Sequence, residues 1–82
     1  MSTKKSIDEE LLLAWNALYE VEVIEDMSLK DMLIRLHIVA QHIASIRSRK
    51  RISKKQLEKL TNLEKWYQSY DIKRLEQDLK AY

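Results

Sequence analysis

Residues 28–49 read SLKDMLIRLHIVAQHIASIRSR, and the spacing of their apolar side chains decides the fold class. Leu29, Leu33, Leu36, Ala40 and Ile43 recur at alternating intervals of four and three, which draws one stripe along a helix. Met32, Ile34, Ile38, Val39 and Ile46 fall on flanking positions, so this helix is apolar around most of its circumference. Arg47, Arg49, Lys50 and Arg51 follow at its C-terminal end, where positive charge suits the negative pole of the helix dipole. The segment reads as the central rod of an all-α bundle.

The rest of the chain supports that class. Its 82 residues include no glycine and no proline, where average usage supplies about ten. Without them the chain lacks the cheapest route to left-handed backbone and the strongest helix breaker, so tight hairpins are hard to build. Punctuation falls to serine instead. Ser6, Ser28 and Ser53 each stand three residues before a polar partner, Glu9, Asp31 and Gln56. In each case the hydroxyl can satisfy an orphan amide of a first helical turn, and at Ser6 and Ser53 the Glu or Gln can return the bond as a capping box.

Three rods follow from those marks. Helix 1 is expected over about 7–22, with Asp8, Glu9 and Glu10 favoured in its first turn by the dipole. Ile7, Leu11, Ala14, Leu18 and Val21 form its stripe, which Trp15 and Tyr19 widen. The alternation Glu-Val-Glu-Val-Ile-Glu at 20–25 hints at a strand, but a lone strand has no partner here, so it reads as the helix end leading into a loop. Helix 2 is expected over about 29–49. Helix 3, about 54–69, carries Leu57, Leu60, Leu63, Trp66, Tyr67 and Tyr70 on a broad face. A second stripe of Ile72, Leu75, Leu79 and Tyr82 is out of register with the first. Either Ser69 or Asp71 caps a separate helix over about 72–81, or one long rod bends there. A continuous helix through Ser53, paired in a dimer, is the competing picture for the junction of helices 2 and 3.

Composition bounds the function. One small domain of this length buries about 60 to 65% of its unfolded surface, so self-association would help it. The absence of cysteine removes disulfides, thiolate metal sites and a cysteine nucleophile. The polar start at 1–5 has no apolar run behind it of the kind a signal peptide needs. Lys30, Asp31, Arg35, His37 and His42 interrupt the most apolar stretch and speak against a membrane span. The expectation is a cytoplasmic protein.

Charge is segregated despite a net of +2. Residues 6–29 hold seven acids and no Lys or Arg, whereas residues 30–55 hold eight bases and one acid. Arg47, Arg49, Lys50, Arg51, Lys54 and Lys55 crowd the junction of helices 2 and 3, where they could contact successive phosphates. The same run serves equally as a solvated connector. A helix-turn-helix is poorly supported, because the turn lacks glycine and Glu58 and Glu64 sit on the would-be recognition helix.

Catalysis and metal binding find no constellation. His37 and His42 lie about 140° apart on a helix and read as edge-of-core residues with hydrogen-bond partners. Ser45 and Ser48 have a histidine nearby but no oxyanion turn. No cofactor motif is present, and the chain reads as a non-enzyme. The excess of apolar surface points instead to a binding module, regulatory or adaptor in kind, whose partner is another protein or a second copy. Trp66, Tyr67, Tyr70, Ile38 and Ile46 are its candidate contacts. The alternative is a small nucleic-acid-binding protein using the six cations of 47–55. A membrane-surface role ranks third, because those cations cluster at one end of helix 2.

Overall fold

The computed structural model describes residues 6–81; the polar start at 1–5 and Tyr82 lie outside the described residues. Four helices follow in order, α1 (Ile7–Val23), α2 (Leu29–Arg47), α3 (Lys54–Gln68) and α4 (Ile72–Lys80), and no strand occurs among the described residues. In the alternating segment at 20–25, residues 20–23 form the last turn of α1, Ile24 caps it in extended geometry and Glu25 opens the turn that follows. Helices α2 and α3 are separate, and α3 with α4 is one rod broken into two pieces.

Each start is capped as the sequence reading expects. Ser6, Ser28 and Ser53 Oγ accept from the amides of Glu9, Asp31 and Gln56, each at 3.1 Å. At Ser53 the box closes, with the Ser53 amide donating to Gln56 Oε1 at 3.1 Å. The return bond from Glu9 to Ser6 is not formed among the described residues. Asp71 starts α4 by accepting from the Arg74 amide at 3.2 Å.

The ends use a different device. No described residue has positive φ, so no helix stops in the left-handed cap that glycine supplies elsewhere. Ser48 and Ser69 close α2 and α3 in right-handed geometry, and each hydroxyl donates back to the carbonyl three residues earlier, both at 2.6 Å. Serine thus opens three helices and closes two. Because Ser69 ends α3 and Asp71 begins α4, the two capping candidates for that bend take opposite jobs.

Side-chain bridges fix the topology. Glu20 meets Arg35 at 2.8 Å near one end of the bundle and Glu10 meets Arg49 at 2.9 Å near the other, so α2 runs back along α1. Gln56 donates to Asp8 at 3.2 Å, and the Tyr70 hydroxyl donates to Glu22 at 2.7 Å. Both pairs span the same interval of 48 residues, which makes α1 and α3 parallel neighbours in register. The core draws Leu11, Ala14, Leu18 and Val21 from α1, Leu36, Val39 and Ile46 from α2, and Leu60 and Leu63 from α3. Helix α4 packs on α2 and brings only half-buried Ile72 and Leu75 to the core.

The buried stripe of α2 is rotated from the expected one. Val39 and Ile46 are wholly enclosed, whereas Ala40 and Ile43 are half-buried and Ile34 and Ile38 are exposed. A helix apolar all round offers several rows of comparable area, and the placement of its neighbours selects among them.

Candidate binding surface

Helix α1 carries two apolar rows. Leu11, Ala14, Leu18 and Val21 face the core, and Leu12, Trp15, Tyr19 and Val23 lie beside them at helical spacing. In the second row Trp15 is half-buried against the core, while Leu12, Tyr19 and Val23 stay in solvent because α2 and α3 cover mainly the first row. Tyr19 is 65% exposed and Leu12 62% exposed. From α3, Trp66 leans toward this row and is itself 52% exposed. Together Trp15, Leu18, Tyr19, Glu22, Val23 and Trp66 line an open groove of about 330 Å³. It continues toward the start of α1 past Leu12 to Asp8 and Lys59.

A second, aliphatic groove lies on the other flank of α1. Leu13, Asn16 and Ala17 face Ile34 and Ile38 of α2 across about 430 Å³, with the Glu20–Arg35 pair at its edge. That pair neutralises itself, so the groove presents apolar surface with little net charge.

The aromatic candidates divide. Trp66 is exposed and lines the groove, while Tyr67 and Tyr70 are half-buried against the core. Burial, the hydrogen bond to Glu22 and that carboxylate's charge push the Tyr70 phenol up to about 12. Burial, with the negative charge of Glu76, also raises Tyr67. Ile38 is exposed as expected of a contact residue. Ile46 is a correction: it is wholly enclosed with Leu60 and Leu63 and offers no surface to a partner. It continues the Val39 row, which is the row that the bundle selects.

The basic junction is also divided. Arg47 pairs with Glu64, and Arg49 reaches Glu10 at 2.9 Å. Lys50, Arg51, Lys54 and Lys55 are exposed and have no ion pair among the described residues. Half-buried Ile52 pins the connector to the core between them. Glu10, read from sequence as a dipole-complementing residue, does more. It is only 7% exposed and holds Arg49 with one oxygen and faces His42 Nδ1 at 3.6 Å with the other.

His42 is accordingly half-buried at the edge of the core. His37 departs from that expectation: it is largely exposed, with Nε2 3.8 Å from Glu76. Among the described residues no group of three or more His, Cys, Asp or Glu side chains is placed to hold a metal ion. Among the same residues no helix is long and apolar enough to cross a membrane.

The sequence reading missed Leu12, Val23 and the exposure of Tyr19. A signal was there: Leu12, Trp15 and Tyr19 repeat the core row's spacing one position over and Val23 follows one turn later, which makes the apolar arc of α1 too wide for one neighbouring helix to cover. No protein-family model, curated protein or solved structure matches this chain.

Proposed function

We propose that this chain is a small non-enzymatic adaptor of the cytoplasm that binds other protein chains through apolar helix faces. One observation carries the reading: α1 is flanked on both sides by exposed apolar grooves, aromatic toward α3 and aliphatic toward α2. Large apolar side chains left in water cost stability in a chain with so little core, and covering them returns that free energy as binding. Trp and Tyr are the side chains that most often dominate such contacts, because each offers a large rigid area at small entropic cost.

The test is capture of the tagged full chain with its partners from its native host, with and without nuclease. The reading expects protein partners that survive nuclease and are lost on Trp66→Ala or Ile34→Asp. Retention of every partner by both variants would sink it.

A second reading rests on Lys50, Arg51, Lys54 and Lys55, four exposed cations beside the amide-rich start of α3. They support contact with nucleic-acid phosphates. Partners lost with nuclease, and an affinity whose salt slope falls by about one unit for each cation replaced by Ala, are its signature. Arg47 and Arg49 have carboxylate partners within the fold, which lowers what they can give to phosphate.

A further inference from the structure

We infer that the aromatic groove between α1 and α3 is closed by a second copy of this chain, set antiparallel across a two-fold axis. This rests on the reading of the chain as a protein-binding module and names what one of its two grooves binds.

The argument comes from polarity along the groove. Because α1 and α3 are parallel with an offset of 48 residues, Lys59 lies level with Leu11, and Trp66 with Leu18. Lys59 lines one end of the groove, and Lys55 stands one helical turn before it on the same row of α3. Glu22 lines the other end, and exposed Glu25 and Asp26 follow in the turn after α1. Asp8 also lines the Lys59 end, where Gln56 donates to it and its charge remains, and Glu22 likewise accepts from the Tyr70 hydroxyl; Lys55 together with Lys59 outweighs Asp8. The face is therefore basic at one end, apolar in the middle and acidic at the other.

A face of that kind is complementary to itself once turned end for end. A two-fold axis crossing the groove between the levels of Trp15 and Tyr19 keeps α1 facing α1 and α3 facing α3, and brings Lys59 of each copy to the level of Glu22 of the other, diagonally across the groove. The same axis brings Trp66 to the level of the partner's Trp15 across the groove, and Leu12 toward its Val23. An isologous contact requires such a match, since every pair occurs twice. An unrelated protein would require no equal spacing of opposite charges about a centre of apolar residues. The second copy is therefore the occupant that this face describes. The aliphatic groove stays open on each protomer, so the dimer presents it twice, and a bivalent target gains avidity from that.

The experiment uses the purified full chain in sedimentation velocity over a micromolar concentration series, with Lys59→Glu and Glu22→Lys measured singly and as an equimolar mixture. Wild type is expected to dimerise. Each single variant places like charges at both symmetric contacts and should associate at least about tenfold more weakly. Mixing them restores opposite charges at both contacts, so heterodimer should form at close to wild-type affinity. Both positions are at the protein surface, but Glu22→Lys also gives up the Tyr70 hydrogen bond. Tyr70→Phe, which removes that bond alone, is therefore measured beside it and should dimerise as wild type does. Far-ultraviolet circular dichroism checks that each variant stays helical. Ile38→Ser, in the other groove, should leave the dimer intact.

A monomeric wild type, unchanged association of both variants, no recovery on mixing, or loss of the dimer with Ile38→Ser would each overturn the inference. The two readings fail separately. A monomer whose aromatic groove captures a different protein overturns the second copy alone, whereas a monomer that binds protein through neither groove overturns the adaptor reading as well.

Discussion

Glu10 shows how one side chain can be both well explained and misread. In the first turn of α1 it favours the positive pole of the helix, as Asp8 and Glu9 do. Its neighbours are exposed, yet Glu10 is buried, and its two oxygens face Arg49 and His42 at the far end of α2. Nothing in local spacing links positions that lie 39 residues apart. Removing the carboxylate takes one charged partner from half-buried Arg49 and the facing charge from His42, a larger loss than that of an exposed carboxylate. Arg49 and His42 retain some access to water, so Glu10→Ala should cost about 2 kcal/mol, below the range for fully buried pairs. Urea denaturation measures it, and Glu9→Ala, on the exposed side, should cost well under half as much. Tyr70 gives a second handle. Burial first, and then the bond to Glu22, hold its phenol protonated up to about 12 against an ordinary 10.0. A folded-state value above the unfolded one means that the associated stability is complete below pH 10 and is lost as pH climbs from 10 through 12. Tyr70→Phe should flatten that part of the stability profile and remove the tyrosinate absorbance step near pH 12.

Among the elements, starts were far more legible than ends. A serine hydroxyl three residues before an amide marks an N-terminus by local chemistry alone, and all three such marks hold. Ends had no glycine to announce them, so α2 stops at Arg47, short of the expected 49, where Ser48 turns its hydroxyl back on the helix. Because both halves of the box close only at Ser53 among the described residues, Ser53→Ala should destabilise the fold by about 1 to 1.5 kcal/mol and Ser6→Ala by about 0.5 to 1. Chemical denaturation of the pair checks the order. Facing direction was the least legible property of α2. Isoleucines at 34, 38, 43 and 46 surround it, and the choice of row belongs to the helices packed on it. Ile46→Ala should therefore cost about 3 kcal/mol, as expected for a wholly enclosed side chain, and Ile38→Ala less than about 1. Equal costs would place the core on a different row.

For the molecule as a whole, the separation of acid and base visible along the sequence becomes separation in space only through the up-down-up path of α1, α2 and α3. That path splits the acids of α1 and the turn after it. Asp8 and Glu10 sit with the basic junction and are engaged there by Gln56 and Arg49, whereas Glu20, Glu22, Glu25 and Asp26 gather at the opposite end. The all-α class could be read from residues 28–49 and the missing glycine and proline. The exposed apolar surface could not, because it depends on which apolar rows the bundle leaves uncovered. Trp66 and Ile38 were named from sequence and are exposed; the width of the α1 arc hinted at Leu12, Tyr19 and Val23, but which of its rows stays uncovered is set by how α3 packs on it. The uncovered row ties folding to association. If a second copy covers the aromatic groove, unfolding also separates two chains, and stability must then depend on how much protein is present. Each tenfold rise in concentration favours the dimer by about 1.4 kcal/mol, or about half of that for each chain. For a domain of this size that shift corresponds to about 3 to 5 °C in melting temperature. Calorimetry over a concentration series should follow that slope for wild type and for the mixed Lys59→Glu and Glu22→Lys variants, and either variant alone should melt at a temperature nearly independent of concentration. A flat wild-type series would mean that α1 carries its second apolar row uncovered.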